Sequence, residues 1–251
     1  MRRPIAGVLL IITAATAAVA QGPRKFPPDS LVNTKVIPPS TPVMQLIGTM
    51  RNFTFDLGVR CQYCHVGEEG QPLSQFDFAS DTKRTKLVAR QMMLLVQEAN
   101  RRVDTLPGHH ADDPQVTCAT CHRGVSKPMP LSAVIAQAAT TAGADSAERA
   151  YRALRQRYYG SGAYDFGEGQ LNTAAFRLGR ANKFDDALAL LALNEQFYPA
   201  SSGMYVFRGN ILLMKGDTTN AAQAFREAVR RDSTNEEAKG RLRAIGRTPK
   251  S

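Results

Sequence analysis

Cys61-Gln62-Tyr63-Cys64-His65 and Cys118-Ala119-Thr120-Cys121-His122 together take all four cysteines of the chain and two of its four histidines. Both read C-x-x-C-H, the attachment signature of c-type haem. Two thiols one turn apart can add to the two vinyl groups on one porphyrin edge, and the imidazole that follows at once then sits under the iron as proximal ligand. A covalent tether also lets a small domain keep a haem that its modest core would not hold.

Rival uses of the cysteines fit less well. Paired zinc knuckles lie about 15–20 residues apart, whereas these pairs are offset by 57 and each is followed by histidine. A thioredoxin-like redox motif wants a βαβ setting, and none is legible here. Two structural disulfides would leave the histidines unexplained, since their chance placement behind both pairs is about one in 4,000. The sequence therefore predicts two covalently bound haem c groups. Cys61, Cys64, Cys118 and Cys121 attach them, and His65 and His122 are the proximal iron ligands.

Helical patterns flank both motifs. Thr41-Pro42 reads as an N-cap with proline at the first helical position, and Val43, Ile47, Met50, Phe53 and Leu57 recur at helical spacing up to Gly58. A second helix, opened by Asp81, carries Val88, Met92, Leu95, Ala99 and Val103 on one stripe until Pro107-Gly108 ends it. Upstream, residues 21–40 hold Pro23, Pro27, Pro28, Pro38 and Pro39 and read as an extended leader. Downstream, Lys127-Pro128-Met129-Pro130 and an Ala/Thr-rich stretch mark a linker over 131–146.

From Ala147 onward the pattern is helical and repeats. Asn182, Ala187, Leu191 and Pro199 recur 34 residues later as Gly216, Ala221, Phe225 and Ser233. In outline this resembles the tetratricopeptide repeat, with units near 168–201 and 202–235, a closing helix over 236–245 and helix 147–159 stacked as a cap. Asn182 at the turn and Ser233 at the last position depart from that pattern. The expected fold is mostly α: a small dihaem cytochrome domain with long loops at 41–130, then a helical-hairpin, tetratricopeptide-like repeat domain at 147–251.

The first twenty residues read as an export signal. Met1-Arg2-Arg3 is a short positive region, Ile5 to Ala20 is apolar, and Ala18-Val19-Ala20 forms a cleavage site before Gln21. Sixteen residues broken by Thr13 and Thr16 are short against the roughly 20 that span a bilayer, so the mature chain is expected to be soluble, in the periplasm or outside the cell. The net charge of +10 is spread along the chain rather than gathered in one arm. With export, that argues against a nucleic-acid partner.

The stretch MRNFTFDLGVRCQYCH (50–65), with VARQMMLLVQEAN and VTCATCHRG downstream, is similar to one two-haem half of the cytochrome c subunit of photosynthetic reaction centres. The similarity covers about residues 41–128. It implies a methionine as the sixth ligand of most haems, taken from a helix before each motif. Met50, 11 residues before Cys61, and Met92, in Ala89-Arg90-Gln91-Met92, occupy those positions, with Met93 the competitor of Met92. Eleven residues are about 16 Å of helix, so Met50 needs the chain to turn back, as Gly58 allows. A plain core role for either methionine stays open, and Met44 and Met129 read as packing. The resemblance also offers a histidine eight residues before a motif, the position of His110, which in that family serves a haem in the other half. His109 and His110 therefore stand as alternative ligands or as solvated loop residues.

Two six-coordinate haems leave no open iron for a substrate, so electron transfer rather than an enzyme is expected. The partners would be redox proteins, membrane-bound ones included, with the repeat domain for docking or self-association. A polymerising cytochrome, stacked through its repeats into a haem wire, and a dihaem peroxidase with one five-coordinate iron are the competing readings. Donation to a reaction centre is implied by the resemblance alone.

Overall fold

The computed structural model describes residues 25–247; the expected export signal, its cleavage site after Ala20 and Pro23 of the leader lie outside them. The described chain is mostly helical, without a named strand among these residues. It forms two compact units. One takes the described residues up to Asn52 together with Arg60–His109, and the other takes Phe53–Val59 together with the described residues from His110 onward.

The first unit is built from loops around two helices. From Lys25 to Ser40 the leader is irregular. Helix α1 (Val43–Leu57) begins as the Leu46 N–H donates to the Pro42 carbonyl at 3.0 Å, and its last turn belongs to the second unit. Helix α2 (Arg84–Val103) starts three residues later than Asp81 suggested, after an extended Lys83. Asp81 is not a cap; its carboxylate pairs with cations projecting from α2. Arg101 and Arg102 in the last turn of α2 face the negative end of the helix dipole. No side chain of α1 is buried, and on α2 only Lys86 is. Helical spacing of apolar residues has formed both helices; the α1 stripe is only half-buried, and on α2 Val88, Met92 and Leu95 stay exposed.

The second unit contains the apolar core. After the short α3 (Cys118–His122) come α4 (Leu131–Tyr158), α5 (Glu168–Arg180), α6 (Phe184–Phe197), α7 (Ser202–Met214), α8 (Thr218–Arg231) and α9 (Glu236–Arg247). Each packs on its successor from α4 onward, as hairpins joined by short turns. Residues 131–146, expected as a linker, are helical. Leu131, Ile135 and Ala139, four residues apart, are fully buried in the common core. The Ala/Thr composition that suggested a linker is instead a small-residue face against which helices lie closely. The chain does break at Ala142-Gly143, where Gly143 takes φ 77°, and the helix restarts with the Ala144 N–H on Asp186 Oδ1 at 2.9 Å.

The 34-residue period has a backbone counterpart. Asn182 (φ 59°) and Gly216 (φ 87°) both turn left-handed between paired helices. Behind each, the next N–H reaches five residues back, Lys183 to Leu178 O at 2.9 Å and Asp217 to Leu212 O at 2.8 Å. Asparagine tolerates that conformation better than most residues, which is why it can stand where glycine stands one period later. Ala187 and Ala221 are both completely buried. A Cβ on Gly209 would lie 2.5 Å from the Phe225 ring, so this crossing requires glycine.

Candidate functional site

The first C-x-x-C-H motif hangs on the reversal after α1. Gly58 adopts φ 63° and the Val59 N–H closes the helix end on Thr54 O at 3.1 Å. Cys61–Tyr63 then form a single 3-10 turn, with the His65 N–H on Cys61 O at 3.0 Å. The turn is tied to the start of α2, where the Lys83 ammonium donates to Gln62 O and the Thr85 hydroxyl to Tyr63 O. Burial pushes the Cys64 thiol up.

His65 is held in an aromatic corner. Its ring meets Phe78 edge-on at 4.9 Å, and Phe78 stacks on Phe76 and contacts Phe26. Burial, joined by the charge of Lys86, pushes its pKa down to about 4, so the imidazole is neutral at pH 7, as a metal ligand must be. Its Nδ1 is buried without a hydrogen-bond partner.

Behind this corner lies a polar network that periodicity does not reveal. Lys86, only 9% exposed, donates to the carbonyls of Phe78 (2.8 Å), Ala79 (3.1 Å) and Ser80 (2.8 Å) and pairs with Asp81 at 3.1 Å. Arg90 grips the other Asp81 oxygen at 2.9 Å and Asn33 O at 2.8 Å, while the Asn33 amide donates to Ala79 O at 2.6 Å. Arg90 first, then Asn33 and Lys86, hold the Asp81 carboxyl well below the usual carboxylate range. Sequence reasoning read Asp81 as a helix start and gave Lys86, Arg90 and Asn33 no role, because a lysine or arginine on a basic helix reads as solvated.

The second motif is a helical turn of its own. The Thr117 N–H donates to Thr120 Oγ1 at 3.0 Å at the start of α3, and Arg123 (φ 49°) and Gly124 (φ 84°) turn left-handed after it. The Gly124 N–H reaches Asp56 O at 2.9 Å. His122 Nδ1 lies 2.9 Å from Val125 O, which fixes the ring and leaves Nε2 as the free donor atom. Burial, with the charge of Asp56, pushes the Cys118 thiol up.

No disulfide joins the four cysteines. Among the described residues no three His, Cys, Asp or Glu side chains converge as a metal cluster requires. Met50 is half-buried on α1 and Met93 half-buried on α2, whereas Met92 is 40% exposed. Of the loop histidines, His110 is exposed. His109 is largely buried, its Nε2 without a hydrogen bond and 3.7 Å from Asp104.

The residues present fit a covalently held porphyrin. Each motif brings two thiols and a neutral or backbone-oriented imidazole into one turn. The nearby helices carry apolar surface that other side chains leave open: Leu87, Val88, Leu94 and Leu95 on α2 and Phe55 on α1 are all exposed. A large planar apolar group covers such faces; water does not favour them.

Two such turns in a predominantly helical chain define a protein of the cytochrome c type. Residues 40–167, half of the chain, match the family described as the photosynthetic reaction centre cytochrome C subunit, and the chain belongs to that family. The photosynthetic reaction center cytochrome c subunit of Roseobacter denitrificans (strain ATCC 33942 / OCh 114) is 34% identical over 91 residues, covering 35% of this chain and 24% of that protein. The matched stretch therefore spans about a quarter of that relative's length. No solved structure matches. Among the described residues, no helix is long and apolar enough to cross a membrane.

Proposed function

We propose that the chain is an exported dihaem c-type cytochrome that passes electrons between redox partner proteins in the periplasm or outside the cell. The observation that carries this reading is the pairing of two C-x-x-C-H turns with helices that leave large apolar side chains exposed, Leu87, Val88, Leu94 and Leu95 on α2 and Phe55 on α1. When bound, haem c supplies a one-electron iron couple. Cys61 with Cys64, and Cys118 with Cys121, provide the thioether links; His65 and His122 provide the proximal nitrogens. Val125 O keeps the His122 ring in one orientation, and the Phe26, Phe76 and Phe78 cluster keeps water from one side of His65. Met50 and Met92 are the distal ligands that the family pattern assigns, with Met93 or His110 as alternatives.

Residues 168–235 are read as two tetratricopeptide-like units, supported by the matching left-handed turns at Asn182 and Gly216. Their role is contact, either docking of the redox partner or self-association. A reductive titration of the purified protein, followed through the haem absorption bands, tests the carrier reading. Two one-electron steps and slow reaction with carbon monoxide are expected. Rapid stoichiometric carbon monoxide binding by either haem would sink it in favour of the peroxidase reading.

Ligation has its own test. Met50→His should lower one midpoint potential by on the order of 0.1 V, since imidazole donates more strongly than thioether. An unchanged spectrum and potential would return Met50 to packing. The same substitution made separately at Met92 and Met93 distinguishes those two.

A further inference from the structure

The two histidines that follow the cysteine pairs do not sit in equivalent charge environments. Behind His65 stand Lys86 and Arg90, fixed rather than solvated: Lys86 is tied to three carbonyls, one of them that of Phe78, whose ring abuts His65, and Arg90 is tied to Asn33 O. Lys83 adds a third cation, anchored on Gln62 O within the motif. Asp81 is the anion of the group, shared between Lys86 and Arg90. Around the second motif the arrangement is different. His122 is oriented by a neutral backbone carbonyl, and Cys118 feels the negative charge of Asp56.

We infer that Lys86 is a positioning and tuning residue for the first haem: through the Phe78–Ser80 carbonyls it holds the wall beside His65, and its buried charge raises that haem's midpoint potential selectively. The inference rests on the haem-binding reading above. Oxidation adds one positive charge at an iron bonded to His65, and a fixed cation nearby disfavours that charge through a poorly screened interior. Asp81 acts in the opposite sense. Neutralising Asp81 should therefore raise the potential that neutralising Lys86 lowers, a reversal that mere loosening of the loop would not produce.

The test uses full-length holoprotein bearing Lys86→Met, Asp81→Asn or Lys86→Arg. Haem content is checked first by peroxidase staining on a denaturing gel, followed by a potentiometric titration that resolves both steps. Lys86→Met is expected to lower one midpoint by an amount equal to a severalfold change in that haem's reduction equilibrium, with the other unmoved. Asp81→Asn should raise the same midpoint, and Lys86→Arg should stay near wild type. If Lys86→Met does not fold, Asp81→Asn and Lys86→Arg still decide the sign. Two haems with both midpoints unmoved, or shifts of the same sign in Lys86→Met and Asp81→Asn, overturn this inference and leave the carrier reading standing. Protein matured without haem overturns the carrier reading and this inference with it.

Discussion

Expressed with a c-type maturation system, the chain should carry two covalent haems, and Cys64→Ala combined with Cys121→Ala should mature with much less haem stain on a denaturing gel, each porphyrin keeping at most one thioether. Each C-x-x-C-H turn places its thiols on one side, and a single remaining thioether holds its porphyrin less tightly than two. The single variants separate the sites. Cys64→Ala should weaken attachment at the turn of Cys61–Tyr63 and leave that at α3 intact, and Cys121→Ala should do the reverse. Loss of haem should also cost stability, most of all in the first unit, where α1 and α2 have little else to pack against. Holoprotein that contains zinc and no iron would remove the basis of the whole functional reading.

Gly58→Ala should be among the most damaging small substitutions in the chain. Its φ of 63° disfavours any Cβ, and a Cβ there would lie 2.0 Å from Gly124 O, a backbone atom that cannot swing away. The conformational penalty is about 1–2 kcal/mol, and forced displacement of well-packed atoms adds roughly 1–3 kcal/mol. That total is a large fraction of a domain's net stability. The overlap also pushes on the Asp56–Gly124 hydrogen bond, and so on the turn that carries His122. Gly70→Ala is the control, because Gly70 has φ 80° but nothing within 4 Å of its Cβ position. Denaturant midpoints should fall far more for Gly58→Ala than for Gly70→Ala. Equal falls would mean that the approach to Gly124 contributes nothing beyond backbone conformation.

Both results bear on why α1 ends where it does. A helix-terminating glycine after Leu57 is legible from the end of the apolar period, but periodicity offers no reason for a glycine rather than an asparagine. At the α5–α6 turn Asn182 takes the left-handed conformation itself (φ 59°), which asparagine tolerates better than most residues. At Gly58 the reason is a second backbone passing within van der Waals distance, supplied by a residue 66 positions later in the chain.

The amino-acid sequence by itself determined the chemistry of the two motifs. Thiol, thiol and imidazole lie within five consecutive residues, so one turn of backbone brings them together whatever the rest of the fold does. It also determined the helices on either side and the 34-residue period, because both are read from spacing along a single element. The tertiary structure alone decided the rest. Residues 131–141 are a helix with one face buried because Leu131, Ile135 and Ala139 find a core to enter, while their composition alone matches a linker equally well. Lys86 is a buried anchor because Phe78, Ala79, Ser80 and Asp81 converge on it from a loop, and Arg90 joins that loop to Asn33. Charged side chains enter an interior only when partners meet them there, and no pattern along one helix records which partners the preceding loop folds back to supply.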